Sequence, residues 1–211
     1  MGVTERRARE KEALRQSILD AARQLVIEQG HDNLSIRKIA EKIEYAPSTI
    51  YLYFQDRYEI LASICTDVFE RLTSQLEELA ARDLDPVTGL REGLKCYIRF
   101  GLEHRSHYQV TFMTPIPELP PGHPSACEAA DQAGIRCYNC LRIAIQKGID
   151  AGVFKPGDTH LLAQSVWLAI HGLVSGLICM GHDKEFPWTN HEELIDGQIN
   201  LLLAGMRVSA N

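Results

Sequence analysis

Apolar residues recur at three- and four-residue intervals along nearly all of this 211-residue chain, and no stretch alternates apolar with polar side chains as a half-buried strand does. That periodicity dictates an all-α fold. Leu14, Ile18, Ala22, Leu25 and Val26 make one stripe, closed by Gly30, whose backbone can take the left-handed turn that ends a helix. Ser35 caps a short second helix, and Pro47 opens a third that runs to about Phe54. A long fourth helix carries Ile60, Ile64, Val68, Leu72, Leu76 and Leu79, and Asp85 with Pro86 supplies the cap and first turn of a fifth. Pro115, Pro117, Pro120, Pro121 and Pro124 forbid regular structure and predict an extended, polyproline-like loop. Ser125 and Glu128 then form a capping box for a long helix ending near Gly152. Asp158 opens the next helix, and Thr189 with Glu192 caps the last, whose stripe is Ile195, Ile199, Leu202 and Met206.

Between Thr159 and Gly181 there is no Lys, Arg, Asp or Glu, a run long enough to span a bilayer. Gln164, Ser165, His171 and Ser175 would be costly in lipid, so the run reads as a helix buried in a core or an oligomer seam, with no membrane partner. Beside the equally apolar last helix, it predicts a homodimer formed through the last two helices. Six cysteines at irregular spacing follow an N-terminus that has Arg6, Arg7 and Arg9 but no apolar stretch behind them. They read as reduced thiols in a cytoplasmic protein, and a chain of this size needs no disulfide or metal to fold.

With 22 basic residues against 28 acidic, the chain is not one that coats its whole surface in nucleic acid. The charge is unevenly placed: residues 1–58 sum to +1 and residues 59–211 to −7, with Arg6, Arg7, Arg9, Lys11 and Arg15 clustered at the start. Such a cluster can track phosphates or a minor groove, and a solvated helix start accounts for the same residues.

Residues Leu34 to Leu61 hold two helices of about two turns joined by about four residues, with Ile39, Ala40, Ile43, Ile50 and Phe54 placed to pack them against the first helix. That spacing is a helix-turn-helix, and Ser48, Thr49, Tyr51 and Tyr53 leave hydroxyl donors on its outer face, suited to phosphate oxygens. The pattern S-I-R-x-I-A followed by S-T-I-Y-x-Y-F-x-D-R-x-x-I-L resembles the DNA-binding signature of the tetracycline-repressor (TetR) family of transcriptional regulators. Trp167, His171 and Gly172 resemble a motif in the penultimate helix of one branch of that family.

The resemblance implies an N-terminal three-helix DNA-binding domain, residues 1–56, and a larger helical ligand-binding and dimerisation domain, residues 57–211. It places Arg37, Pro47, Ser48, Thr49 and Leu52 where relatives reach base edges. Ser35, Tyr51, Tyr53 and Arg57 fall where relatives hold phosphates, Arg57 replacing a frequent lysine. Glu44 stands at a turn position where relatives often have glycine, which implies a strained residue or an altered turn. Leu52 offers only apolar contact, for instance to a thymine methyl.

Tyr97, Phe100, His104 and Tyr108, at i, i+3, i+7 and i+11, make a stripe on the fifth helix. Such side chains build either plain core or a mostly apolar small-molecule site with a few polar anchors. The resemblance implies an effector among the central helices, with Phe112, Met113, Trp167 and His171 as further candidates. Cys137 and Cys140, with His123 and Cys127 upstream, leave a thiol or metal sensor on the same scaffold open. No phosphate-binding, dinucleotide, zinc-protease or nucleophile-elbow signature is present, so no catalytic residue, metal ligand or cofactor is expected. The resulting expectation is a ligand-responsive homodimeric repressor of a palindromic double-stranded DNA operator, released by a small-molecule effector. A small helical enzyme and a purely architectural dimer are the rivals.

Overall fold

The computed structural model describes residues 2–114 and 124–208. The described residues form helices α1 (Val3–Gln29), α2 (Ile36–Lys42), α3 (Pro47–Ile50), α4 (Arg57–Ala80), α5 (Pro86–Glu103), α6 (Arg105–Tyr108), α7 (Pro124–Asp150), α8 (Thr159–Met180) and α9 (His191–Met206). A 3₁₀ turn, His31–Asn33, precedes α2, and a π turn, Gln109–Met113, follows α6. No strand occurs among them, so the all-α expectation stands; only an isolated antiparallel bridge joins Phe154 to Arg207. The proline-rich stretch 115–123, read above as an extended loop, lies outside the described residues.

Several helix starts are where the caps predicted them. Ser35 accepts from Lys38 N, Asp85 from Val87 N and Thr88 N, and Asp158 from His160 N. Others differ. The last helix is capped by Asn190, which accepts from Glu192 N and Glu193 N, and not by Thr189; its buried stripe runs through Leu203, not Leu202. The helix read as starting at Ser125 begins at Pro124, so Ser125 lies within its first turn.

The largest departure concerns the fifth helix. It ends at Glu103, and His104 leaves helical geometry at φ −110° and ψ 45°. The chain restarts as the short α6 and the π turn. Tyr108 therefore does not continue the stripe of Tyr97, Phe100 and His104, because a helical phase is lost wherever the i→i−4 ladder is interrupted.

The chain divides into two compact units, residues 1–68 with 106–133 and residues 69–105 with 134–211. This division is discontinuous in sequence and falls inside α4 and α7. The core of the first unit gathers Ile18, Ala22 and Leu25 of α1, Ile39 of α2, Ile50 of α3, Phe54, and Ile60 and Ile64 of α4. Val110 of the π turn belongs to the same core, so a segment distant in sequence is built into the helix-turn-helix support.

In the second unit α5 packs on α8 and α9. A glycine there is required by close approach: a Cβ on Gly148 would lie 2.0 Å from Cδ2 of the fully buried Phe154. Helix α8 is long and apolar enough to cross a membrane by length and composition. In the folded chain Ala163, Val166, Ile170, Val174, Leu177 and Ile178 form its buried face.

Candidate DNA-binding surface and regulatory interior

Helices α2 and α3 form the helix-turn-helix. Buried Ile39, Ala40 and Ile50 fix the pair against α1 and α4. Between them Glu44 takes φ 60°, the left-handed region, so the turn keeps its geometry at the expense of strain in a non-glycine residue. Helix α3 is shorter than the sequence predicts. After Ile50 the chain tightens into i→i+3 bonds, Leu52 N to Thr49 O at 3.2 Å and Tyr53 N to Ile50 O at 2.9 Å, before Phe54 plugs the core.

The outward face of this pair carries Arg37, Pro47, Ser48, Tyr51 and Leu52, all exposed, with Ser35, Thr49 and Tyr53 half-buried at its edge. Leu52 is 77% exposed, which leaves a bulky apolar side chain standing in water. Among the described residues Arg37 is held by Glu41 on the next turn, 3.1 Å away with both side chains largely in solvent, a pairing too weak to commit the guanidinium. Tyr45 in the turn is 50% exposed beside them, and the sequence reading passed over it. Its position directly before the Ala46–Pro47 helix entry was the available signal.

Arg57 behaves differently from its neighbours. Its Nη1 donates to the carbonyls of Asp32 at 3.0 Å and Leu34 at 3.2 Å, and its Nη2 to the Tyr58 hydroxyl at 3.0 Å. The basic cluster near the N-terminus is helical from Val3 onward. Within it Arg6 pairs with Glu10, and Arg15 reaches Glu12 and Asp67 and lies 5.5 Å over the Phe54 ring.

Five of the eight residues read as effector contacts lie in the second unit, in two groups. Trp167 Nε1 donates to the Tyr97 hydroxyl at 3.1 Å across α8 and α5. Trp167 and His171 stack with centroids 5.6 Å apart, and His171 Nε2 lies 3.4 Å from Ser175 Oγ. Phe100 and His104 meet edge to face at 4.8 Å. Burial lowers the His171 pKa, which favours the neutral imidazole. The structure places the other three, Tyr108, Phe112 and Met113, in the first unit, where Tyr108 is fully buried and packs on Phe112 at 4.7 Å.

Burial favours the protonated thiol at both Cys137 and Cys140. Cys137 is buried and burial pushes it up to about 12, and burial raises Cys140 as well. A thiol in that range holds almost no thiolate at neutral pH, and thiolate is both the nucleophile and the metal ligand. His123 lies outside the described residues.

Two family models match the chain: "Bacterial regulatory proteins, tetR family" over residues 18–64, and "Tetracyclin repressor-like, C-terminal domain" over residues 90–196. Among curated proteins the chain is similar to the fatty acid metabolism regulator protein of Bacillus subtilis, 26% identical over 90% of this chain and 93% of that one. Among solved structures it is similar to FadR from Bacillus subtilis in complex with stearoyl-CoA, at 23% identity, 91% and 99% coverage and a TM-score of 0.72. It is also similar to a putative fatty acid metabolism regulator of Clostridium perfringens, at 18% identity, 92% and 100% coverage and a TM-score of 0.74.

Proposed function

The chain belongs to the tetR family of bacterial regulatory proteins, and from that premise we propose a homodimeric repressor whose two copies of α3 enter successive major grooves of a palindromic operator, and which a long-chain acyl-CoA thioester releases. Regulators of this family bind DNA and respond to small molecules, and a regulator that acts on the chromosome works in the cytoplasm. DNA binding belongs to residues 1–56, and regulation and dimerisation to residues 57–211.

The observation that carries this reading is the outer face of α2 and α3. Arg37, Pro47, Ser48 and Leu52 stand exposed over a fully packed core, with Thr49 beside them, and so are free to meet base edges, while Ser35, Tyr51 and Tyr53 suit phosphates. The dimer reading draws support from the unburied side of α8 and α9. Leu161 at 63%, Leu168 at 57% and Leu201 at 72% exposure continue an apolar face that a second copy would cover.

The effector class follows the name of the Bacillus subtilis relative, which the chain matches almost end to end, and the ligand of its solved namesake. The surroundings of Tyr97, Phe100, His104, Trp167 and His171 agree with it, being helices rich in apolar side chains with a few polar anchors. Release would work by population shift: the effector favours the conformation whose recognition helices are wrongly spaced, by no more than its differential affinity for the two. Non-enzymatic action fits the same picture.

The test is selection of genomic fragments by the purified protein at physiological salt, followed by titration with stearoyl-CoA. Enrichment of one inverted repeat, weakened by Arg37→Ala at a cost of about 1–3 kcal/mol and dissociated by stearoyl-CoA, supports the full proposal. Enrichment without release rejects the effector class alone. A folded dimer that enriches nothing, with or without stearoyl-CoA, rejects the repressor reading.

A further inference from the structure

Helix α4 needs no help from Arg57 to begin. Asp56 Oδ1 accepts from Tyr58 N at 2.7 Å and Glu59 N at 3.0 Å, and Glu59 Oε2 accepts from Gln55 N at 2.5 Å. A cation in the first turn of a helix is electrostatically disfavoured, because the free N–H groups there already carry positive charge. Arg57 must therefore be held for something outside its own helix.

Its guanidinium reaches back across 23 and 25 residues to two carbonyls, Leu34 O and Asp32 O, while Nη2 bonds the Tyr58 hydroxyl. The same group lies 4.9 Å from the centroid of the Tyr58 ring. The carbonyls it grips sit at the 3₁₀ turn His31–Asn33 and at Leu34, immediately before Ser35, the cap of α2. Leu34 is itself 1% exposed, so this piece of backbone is anchored in the core of the first unit. Lysine has the charge for a phosphate but one nitrogen, and it cannot bridge two carbonyls and a hydroxyl in one plane.

We propose that Arg57 is a positioning residue that fastens the first turn of α4 to the backbone entering α2, and not a phosphate contact. Movement of α4 then reaches the helix-turn-helix at its entry, and the angle of the recognition helix depends on this joint. The inference rests on the repressor reading for its effect on DNA, but the joint itself is testable without DNA.

The experiment compares wild type, Arg57→Lys, Arg57→Gln and Tyr58→Phe. In the DNA-free protein, amide hydrogen exchange over residues 32–38 should accelerate in Arg57→Lys and Arg57→Gln, and less in Tyr58→Phe. Operator binding across a salt series should fall roughly tenfold in Arg57→Lys, the loss expected for charge-assisted hydrogen bonds, with an unchanged slope of log affinity against log salt. Unaltered exchange in Arg57→Lys overturns the joint. So does wild-type affinity in Arg57→Lys combined with a slope reduced by about 0.9 per protomer in Arg57→Gln, which is the signature of a lost phosphate contact. Failure of wild type to bind any operator would count against the repressor reading and leave the exchange result to decide the joint.

Discussion

On α2 and α3 the outer side chains stand in solvent above a closed core, Arg37 and Leu52 over Ile39 and Ile50. On α5 and α8 Tyr97 bonds Trp167, and His171 stacks on Trp167 and approaches Ser175. A surface for a rigid, highly charged partner can be left unpaired, because water satisfies it until the partner arrives. A half-buried interior cannot, since a polar group shut away from water without a bond costs free energy, so its polar groups bond to each other. One region is a pattern on an outside, the other a bonded network within.

The strongest way to break this contrast is to remove the support beneath the exposed face. Ile50 is fully buried, and Ile50→Ala should destabilise the first unit by about 2–5 kcal/mol. Denaturant unfolding should show that loss together with lost operator binding, while sedimentation still reports a dimer; dissociation into monomers would show that the two regions are not separable. A smaller effect is expected inside. Tyr97→Phe leaves Trp167 Nε1 without its acceptor and should cost about 1 kcal/mol. Calorimetric titration with stearoyl-CoA should change while effector-free operator affinity stays as in wild type, and the reverse pattern would move Tyr97 out of the effector site.

Two further substitutions sharpen the contrast at the level of backbone and charge. Glu44→Gly removes left-handed strain at φ 60° at the cost of a more flexible unfolded chain, for a net gain of about 0.5 kcal/mol visible as a raised thermal midpoint. The smallest effect concerns pH. Because burial holds the folded His171 pKa below its ordinary 6.5, the unfolded chain binds the proton first as pH falls. The His171 contribution is therefore intact above pH 6.5 and declines between that value and the lower folded pKa. His171→Gln should flatten the thermal midpoint in that window, and an identical pH profile in the variant would remove His171 as the cause.

The helix-turn-helix was legible because its determinants are local. Ser35 as a cap, Pro47 at a helix start and the spacing of Ile39, Ile50 and Phe54 depend on residues a few positions apart, and the chain has little freedom to place them otherwise. The stripe from Tyr97 to Tyr108 was misread for the complementary reason. A four-residue spacing predicts a shared face only while the helix continues, and the break at His104 sends Tyr108 and Val110 to the first unit. Nothing in the identity of His104 announces that break.

The sequence by itself determined the helical class, most caps and the family, since these follow from periods and contacts within one or two turns. Tertiary structure alone decided that Arg57 turns to the carbonyls of Asp32 and Leu34 and that Trp167 finds Tyr97 seventy residues away. Each of these depends on where a distant segment lies. A side chain commits to a distant partner only when the packing of the whole unit brings that partner within bonding distance, and local spacing carries no record of it.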